Sequence, residues 1–329
     1  MIVPQFWAEG RIHRRVGGRS ITVRRFGWSD AGQAEAQAHA DARTQEAFDR
    51  IAVGEPLVRR ERRAGYNGAQ GLPIREEIVE RHGGTVVTRN SYGARCLNTP
   101  DVLFVDVDFD DEAPAGAPGL AVFGAAVAAG AVVGWATGAW TSALAAAVLV
   151  LALGLWLVRA EKKKKAQAAA AHDPLQAVRA RIDRFIAQRP DWHLRLYRTP
   201  AGLRALAMHR GFAPDDPAVA DCFHALDADP VYARMCRNQH CFRARVSAKP
   251  WRIGIGEHLR PRPGVWPVAP QRLPERQAWV ARYEARAAGF AACRFVGAVG
   301  ATGSTTFETL AVQALHDELC RADSTLPLA

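Results

Sequence analysis

Between residues 119 and 158 the mixing of polar and apolar positions stops. The stretch "GLAVFGAAVAAGAVVGWATGAWTSALAAAVLVLALGLWLV" carries no charge. One membrane crossing takes about 20 apolar residues, so forty predict two. A single helix of that length would run about 60 Å, too long for one bilayer. The break falls at "GWATGAWTS", residues 134–142, where Gly, Thr and Ser cluster between two tryptophans that suit a membrane interface. The pattern therefore predicts a two-helix transmembrane hairpin, about 119–135 and 140–158. Gly124, Ala128, Gly130 and Gly134 would let its helices pack closely. "RAEKKKK" follows at 159–165, and basic residues beside a span stay cytoplasmic. The expected topology is a two-pass protein of a bacterial inner membrane, both termini cytoplasmic, with the lipid bilayer as one partner.

Patterned sequence fills the flanks. "RIHRRV" and "SITVRRF" alternate about the turn "GGR" and read as a β-hairpin. A helix follows through "AGQAEAQAHADARTQEAFDRI", with Ser29 as its expected N-cap. "LVRRERRAGYNGAQGLP" reads as a loop, "IREEIVERHGG" as a short helix closed by glycine. "TVVTR" and "VLFVDVDF" read as strands around the loop "NSYGARCLNTPD". After the hairpin, 159–173 reads as a helical or flexible basic, Ala-rich connector. "PLQAVRARIDRFIAQRP" has helical spacing, and "WHLRLYRT" and "GLRALAMHR" read as paired strands. "DDPAVADCFHAL" and "DPVYARMC" read as helices, "CFRARVS" and "WRIGIG" as short strands. A helix, a strand and a helix close the chain, the last with Thr305 as N-cap and Glu308 completing a capping box. Strands that turn back on themselves, with helices between, predict an α+β fold: a mostly antiparallel sheet with flanking helices, interrupted by the hairpin. Segments 1–112 and 174–329 are expected to complete one cytoplasmic domain.

Composition adds charge. The chain of 329 residues carries a net +10. Residues 1–112 hold 16 Arg against 17 Asp and Glu, so the basic excess lies after them. A basic half suits nucleotides, nucleic acid or lipid headgroups, while abundant Arg and Ala also follow from a GC-rich genome. The first 15 residues lack an apolar signal core, so the six cysteines are expected as thiols in a reducing compartment.

Candidate chemistry begins with "LFVDVDFD". On a strand, Asp106, Asp108 and Asp110 share one face and Val105, Val107 and Phe109 the other. Carboxylates about 7 Å apart repel unless a cation joins them, and oxygen ligands suit Mg²⁺ or Mn²⁺. The plainer alternative is an edge strand with a solvated acidic face.

The order of motifs resembles the palm domain of the archaeo-eukaryotic primase superfamily. Asp106 and Asp108 match its strand-borne D-x-D. "RTPAGLR" resembles its Ser/Gly-rich turn, with Arg204 where the family's His is expected. Asp227 or Asp229 would be the third acid, ahead of the basic segment "FRARVSAKPWR". The resemblance implies a palm-like fold. Asp106 and Asp108 would hold metal, Asp229 would complete the catalytic acids, and Arg204, Arg243, Lys249 and Arg252 would meet phosphates.

Zinc is disfavoured. Cys222, His224, Cys236, His240 and Cys241 are nearby in sequence, but Cys222 and His224 point apart on a helix and the spacing is not a knuckle. Two functions follow. One is a membrane-anchored domain that binds a divalent metal and a phosphate-bearing ligand, nucleotide or nucleic acid, as a palm-type nucleotidyl or phosphoryl transferase. The other is a non-catalytic membrane-anchored adaptor that docks a protein partner.

Overall fold

A computed structural model describes residues 3–62, 72–109, 135–171 and 174–329, with single positions between 124 and 133. Asp110, the 63–71 part of the Arg- and Gly-rich loop and most of the first expected span lie outside the described residues. The chain separates into two compact units, one of residues 1–108 and 181–329, the other of 109–180.

In the first unit, β1 (Phe6–Val16) and β2 (Arg19–Ser29) pair antiparallel in register Val16↔Arg19. Gly17 and Gly18, at φ 55° and 79°, make the two-residue turn that strand twist demands. Helix α1 (Gln33–Ala52) lies directly on this hairpin. The approach is so close that a Cβ on Gly27 would meet the Ala40 nitrogen at 2.1 Å and the Ala36 carbonyl oxygen at 2.4 Å. Small residues therefore face small residues at the crossing. Beyond it, Ile21, Val23, Ala47, Phe48 and Ile51 form a buried cluster. Ser29 ends β2 instead of capping the helix: its hydroxyl accepts from the Ala31 amide at 3.0 Å, and Gly32 holds the N-cap position.

One four-stranded sheet runs β3 (Glu77–His82), β4 (Thr85–Arg89), β5 (Arg95–Thr99) and β9 (Phe242–Arg245), all antiparallel. Here "IREEIVERHGG" is a strand and not a helix, and its glycines form the β3–β4 turn, Gly83 at φ 58°. The segment read as a loop between strands holds β5.

The second sheet has the order β10-β7-β8-β6, again antiparallel: β10 (Arg294–Gly300), β7 (His193–Arg198), β8 (Gly202–Ala207) and β6 (Phe104–Asp108). β6 lies beside β9, so the sheets meet there. The Tyr232 hydroxyl spans the seam, donating to the Phe104 carbonyl at 2.9 Å and accepting from the Arg243 amide at 3.4 Å. The unit is thus α+β with antiparallel sheets and flanking helices.

Helices α4 (Pro217–Leu226) and α5 (Pro230–Gln239) each start with an Asp cap and Pro in the first turn. "WRIGIG" is a 3-10 turn over Pro250–Ile253, not a strand, because Pro250 removes a ladder donor. Helix α6 (Leu273–Ala287) packs Trp279 and Tyr283 against Ile253, Ile255 and Leu259. Helix α7 (Phe307–Cys320) is capped by Thr306, one residue past the expected Thr305, and Thr309 completes its box instead of Glu308.

In the other unit, helical residues 131–133 and 135–137 precede Gly138, at φ 65°. Helix α2 (Trp140–Ala171) then runs 32 residues, through the basic segment expected as a connector. Its Trp140–Ala160 stretch has mean hydropathy 2.3 and is long and apolar enough to cross a membrane. It is the one such helix among the described residues. Helix α3 (Pro174–Gln188) follows, shared between the two units.

Candidate functional site

Antiparallel register sets the first relationship. Asp106 on β6 stands directly opposite Arg204 on β8. The guanidinium meets both carboxylate oxygens, Nε to Oδ1 at 2.6 Å and Nη2 to Oδ2 at 2.9 Å. Its third nitrogen, Nη1, donates to the Arg245 carbonyl at 2.9 Å and lies 3.2 Å from His316 Nε2. Arg204 is buried, while the Asp106 side chain is 36% exposed. Burial pushes the Asp106 carboxyl up, but the Arg204 charge and hydrogen bonds more than offset this and hold it below its ordinary value. The pair accounts for both members. Asp106 has a cation at each oxygen, and Arg204 faces inward.

Asp108 lies two residues on, exposed, at the same face of the strand. Burial and the Asp106 charge push its carboxyl up. Lys249 and Arg245 pull it down, and Asp229 adds to the rise. Half-buried Lys249 has its ammonium pulled down by burial and by Arg245 and Arg252, with Asp108 and Asp106 opposing. β6 packs beside β9, Arg245 ends β9 and Lys249 and Arg252 follow it in the chain, so these cations and Asp108 at the end of β6 act on one another, with Asp229 contributing to Asp108. An aromatic group borders these charges. Lys249 Nζ lies 5.5 Å from the Trp251 ring centre, and Trp251 is 47% exposed. Tyr92 and His258 meet Trp251 with ring centres 5.2 and 5.7 Å away.

The expected third acids have local jobs as well. Asp229 accepts from the Val231 amide at 2.8 Å to cap α5. Asp227 closes α4 in the left-handed conformation and pairs with Arg181 at 2.6 Å. Arg243 is set apart from the others. It is 8% exposed, meets both Glu76 oxygens at 2.8 and 2.7 Å, and donates to Asn98 at 3.1 Å. Glu76 comes from the segment leading into β3, so this pair ties that strand to β9.

A second group was not legible as a site. Cys293, just before β10, and His316 and Cys320, one turn apart on α7, bring their ligand atoms within 4.8 Å of one another, all buried. His316 Nε2 is 3.4 Å from Cys320 Sγ and 3.8 Å from Cys293 Sγ. Its Nδ1 meets Asp317 Oδ1 at 3.0 Å, and Asp317 is fixed in turn by Gln313 at 2.7 Å and Arg195 at 2.9 Å. Such a donor set could hold a metal ion, and its sulfur and nitrogen atoms suit zinc better than Mg²⁺ or Mn²⁺. The cysteines weighed from sequence are separate. Cys222, Cys236 and Cys241 are buried thiols, Cys222 pushed up to about 12 and Cys241 to about 11 by burial, while His224 and His240 point to solvent. The one local clue to the cluster was the His-x₃-Cys spacing of His316 and Cys320, which puts both on one helix face. Compared with known proteins, the chain matches no family model, no curated protein and no solved structure.

Proposed function

We propose that this chain is a membrane-anchored domain that binds a phosphate-bearing ligand of nucleotide type beside Asp108. The observation that carries this reading is the shared neighbourhood of Asp108, Lys249, Arg245 and Arg252, bordered by exposed Trp251. Cations meet phosphate oxygens, and an exposed indole offers a stacking face to a base. Mg²⁺ or Mn²⁺ would arrive with the ligand. Such ions bind through one or two carboxylates plus phosphate oxygens, and Asp108 and Asp229 are the carboxylates at hand. Palm-type nucleotidyl or phosphoryl transfer would require Asp106 to share the metal with Asp108. The two-point pair with Arg204 competes with that, so binding is favoured over transfer.

The anchor we propose is the two-helix hairpin, both termini cytoplasmic. Helical residues on either side of Gly138, exposed Trp135 and Trp140, and the basic run after the second span support it. The second reading is an adaptor for a protein partner. The mixed acidic and basic character of the Asp108 face suits a polar docking surface too.

Calorimetry on the detergent-purified full chain with Mg·ATP separates the two. Saturable heat that is lost in Lys249→Ala/Arg252→Ala and weakened in Trp251→Ala supports the nucleotide reading. No heat with the wild-type chain, for Mg·ATP or Mg·GTP, removes it and puts the adaptor ahead.

A further inference from the structure

We infer that Cys293, His316 and Cys320 form a zinc site that clamps helix α7 to the β10 side of its sheet. This inference does not depend on the ligand proposed above. Distances supply the first argument. With Zn–S of about 2.3 Å and Zn–N of about 2.0–2.1 Å, tetrahedral ligation puts sulfur and nitrogen about 3.6 Å apart. The two Nε2–Sγ distances, 3.4 and 3.8 Å, straddle that value. The third pair, the two sulfurs, also lies within 4.8 Å, so one ion can reach all three atoms.

Orientation supplies the second. A zinc-bound imidazole needs a bare nitrogen toward the metal and usually gives its other N–H to a carboxylate. Asp317 Oδ1, 3.0 Å from Nδ1, provides that partner and fixes the tautomer with Nε2 toward the sulfurs. Asp317 is itself held by Arg195 and Gln313, so the ring is braced from behind.

Charge supplies the third. Binding takes Zn²⁺ and two thiols to a zinc dithiolate and releases two protons. The product is neutral. It can therefore sit beside the buried Arg204 guanidinium, whose charge is already matched by Asp106. The Arg204 Nη1 contact to His316 Nε2 gives way to the ion, and Nη1 keeps the Arg245 carbonyl. Three ligands leave one coordination position, which a water molecule would fill without changing the charge.

The consequence is mechanical. Cys293 belongs to the segment that leads into β10, and the other two ligands belong to α7. Backbone bonds already join these parts, Ala292 to the Cys320 carbonyl at 2.9 Å and Phe295 to the Ala322 carbonyl at 3.0 Å. The ion would lock that junction.

The test is metal content and cobalt spectroscopy on the full chain, purified under reducing conditions with zinc supplied. About one zinc per chain is expected in the wild type, and in Cys222→Ser, whose thiol is buried elsewhere. Cys293→Ser/Cys320→Ser should lose it, and His316→Ala should weaken it at least 10-fold. Replacement by Co²⁺ in the wild type should give a thiolate-to-cobalt charge-transfer band and strong visible bands of tetrahedral cobalt. This readout needs no variant to fold. Wild-type chain without stoichiometric zinc, cobalt without a thiolate band, or zinc retained by the double Ser variant would each overturn the site. None of these results bears on Mg·ATP binding, so the two proposals fail separately.

Discussion

Arg204 holds Asp106 by two hydrogen bonds directly across an antiparallel strand pair, at the position where sequence resemblance led us to expect a histidine. A residue expected to meet phosphate therefore spends its charge inside the fold. Removing it leaves a carboxylate and the Arg245 carbonyl without their donor. Arg204→Met should destabilise the domain by about 3 kcal/mol, the low end for a broken buried pair because Asp106 is partly exposed. Denaturant unfolding followed by tryptophan fluorescence in detergent would check this. A loss below about 0.5 kcal/mol would mean the pair is incidental.

The two carboxylates of β6 should respond to pH in opposite ways. The folded-state Asp106 carboxyl is held low, so its pair stabilises the fold above the ordinary carboxylate value, near 3.9. That contribution is lost as pH falls through the lowered folded value. Asp106→Asn should therefore be less stable than wild type at pH 7 and draw level with it in strong acid.

Asp108 is exposed to solvent, but partial desolvation at its site and the Asp106 charge hold its carboxyl high, so its charge opposes folding weakly at neutral pH. Asp108→Asn should be more stable than wild type at pH 7. The gain should shrink as pH falls and wild-type Asp108 takes up a proton. Stability curves for both variants between pH 3 and 8 test the pair of signs. Curves of the same sign would refute the assignment.

Arg243 and Lys249, grouped together by sequence, should part company in experiment. Arg243→Ala strands Glu76, whose side chain is only 13% exposed, and should cost about 3–5 kcal/mol. Lys249→Ala removes a half-buried cation whose attraction to Asp108 and Asp106 is opposed by Arg245 and Arg252, and should change stability by less than about 0.5 kcal/mol. Its effect should appear in ligand binding. Equal stability losses for both would return Lys249 to a structural role.

Gly27→Ala should be among the most damaging conservative changes in the N-terminal hairpin. The added methyl meets helix backbone, not a flexible side chain, so α1 must lift from β2. A cost of about 1–3 kcal/mol follows. Lys or Arg substitutions at the open Gly17–Gly18 turn would instead be strained by positive φ alone. Thermal melts of Gly27→Ala beside wild type give the answer.

Local patterning carried the elements whose information is local. The β1–β2 hairpin announced itself through alternation around two glycines, and the Asp-Pro starts of α4 and α5 are cap signals written in two letters. Segment 74–84, read as a helix, misled because Ile74 and Ile78 repeat at helical spacing. What makes it a strand is its ladder with β4 across the Gly83–Gly84 turn, and distant ion pairs then fix its place: Glu77 pairs with Arg276, and the neighbouring Glu76 with Arg243. No window of the sequence contains those partners. The same holds for the candidate site. The acidic face of β6 was legible from alternation. Its neutralisation by Arg204 depends on strand register across almost a hundred residues, and Cys293 meets His316 only through tertiary packing.

Helix α2 does not stop where its apolar residues stop. Its 32 residues span about 48 Å, against a hydrocarbon core of about 30 Å. If Trp140 marks one membrane face, some three turns of unbroken helix, including the stretch Lys162–Lys165, emerge from the other. What leaves the bilayer is then a strut of fixed length and not a slack tether. Each residue inserted into it would raise its far end by about 1.5 Å and swing it by about 100°, so an anchor built this way dictates height and heading together.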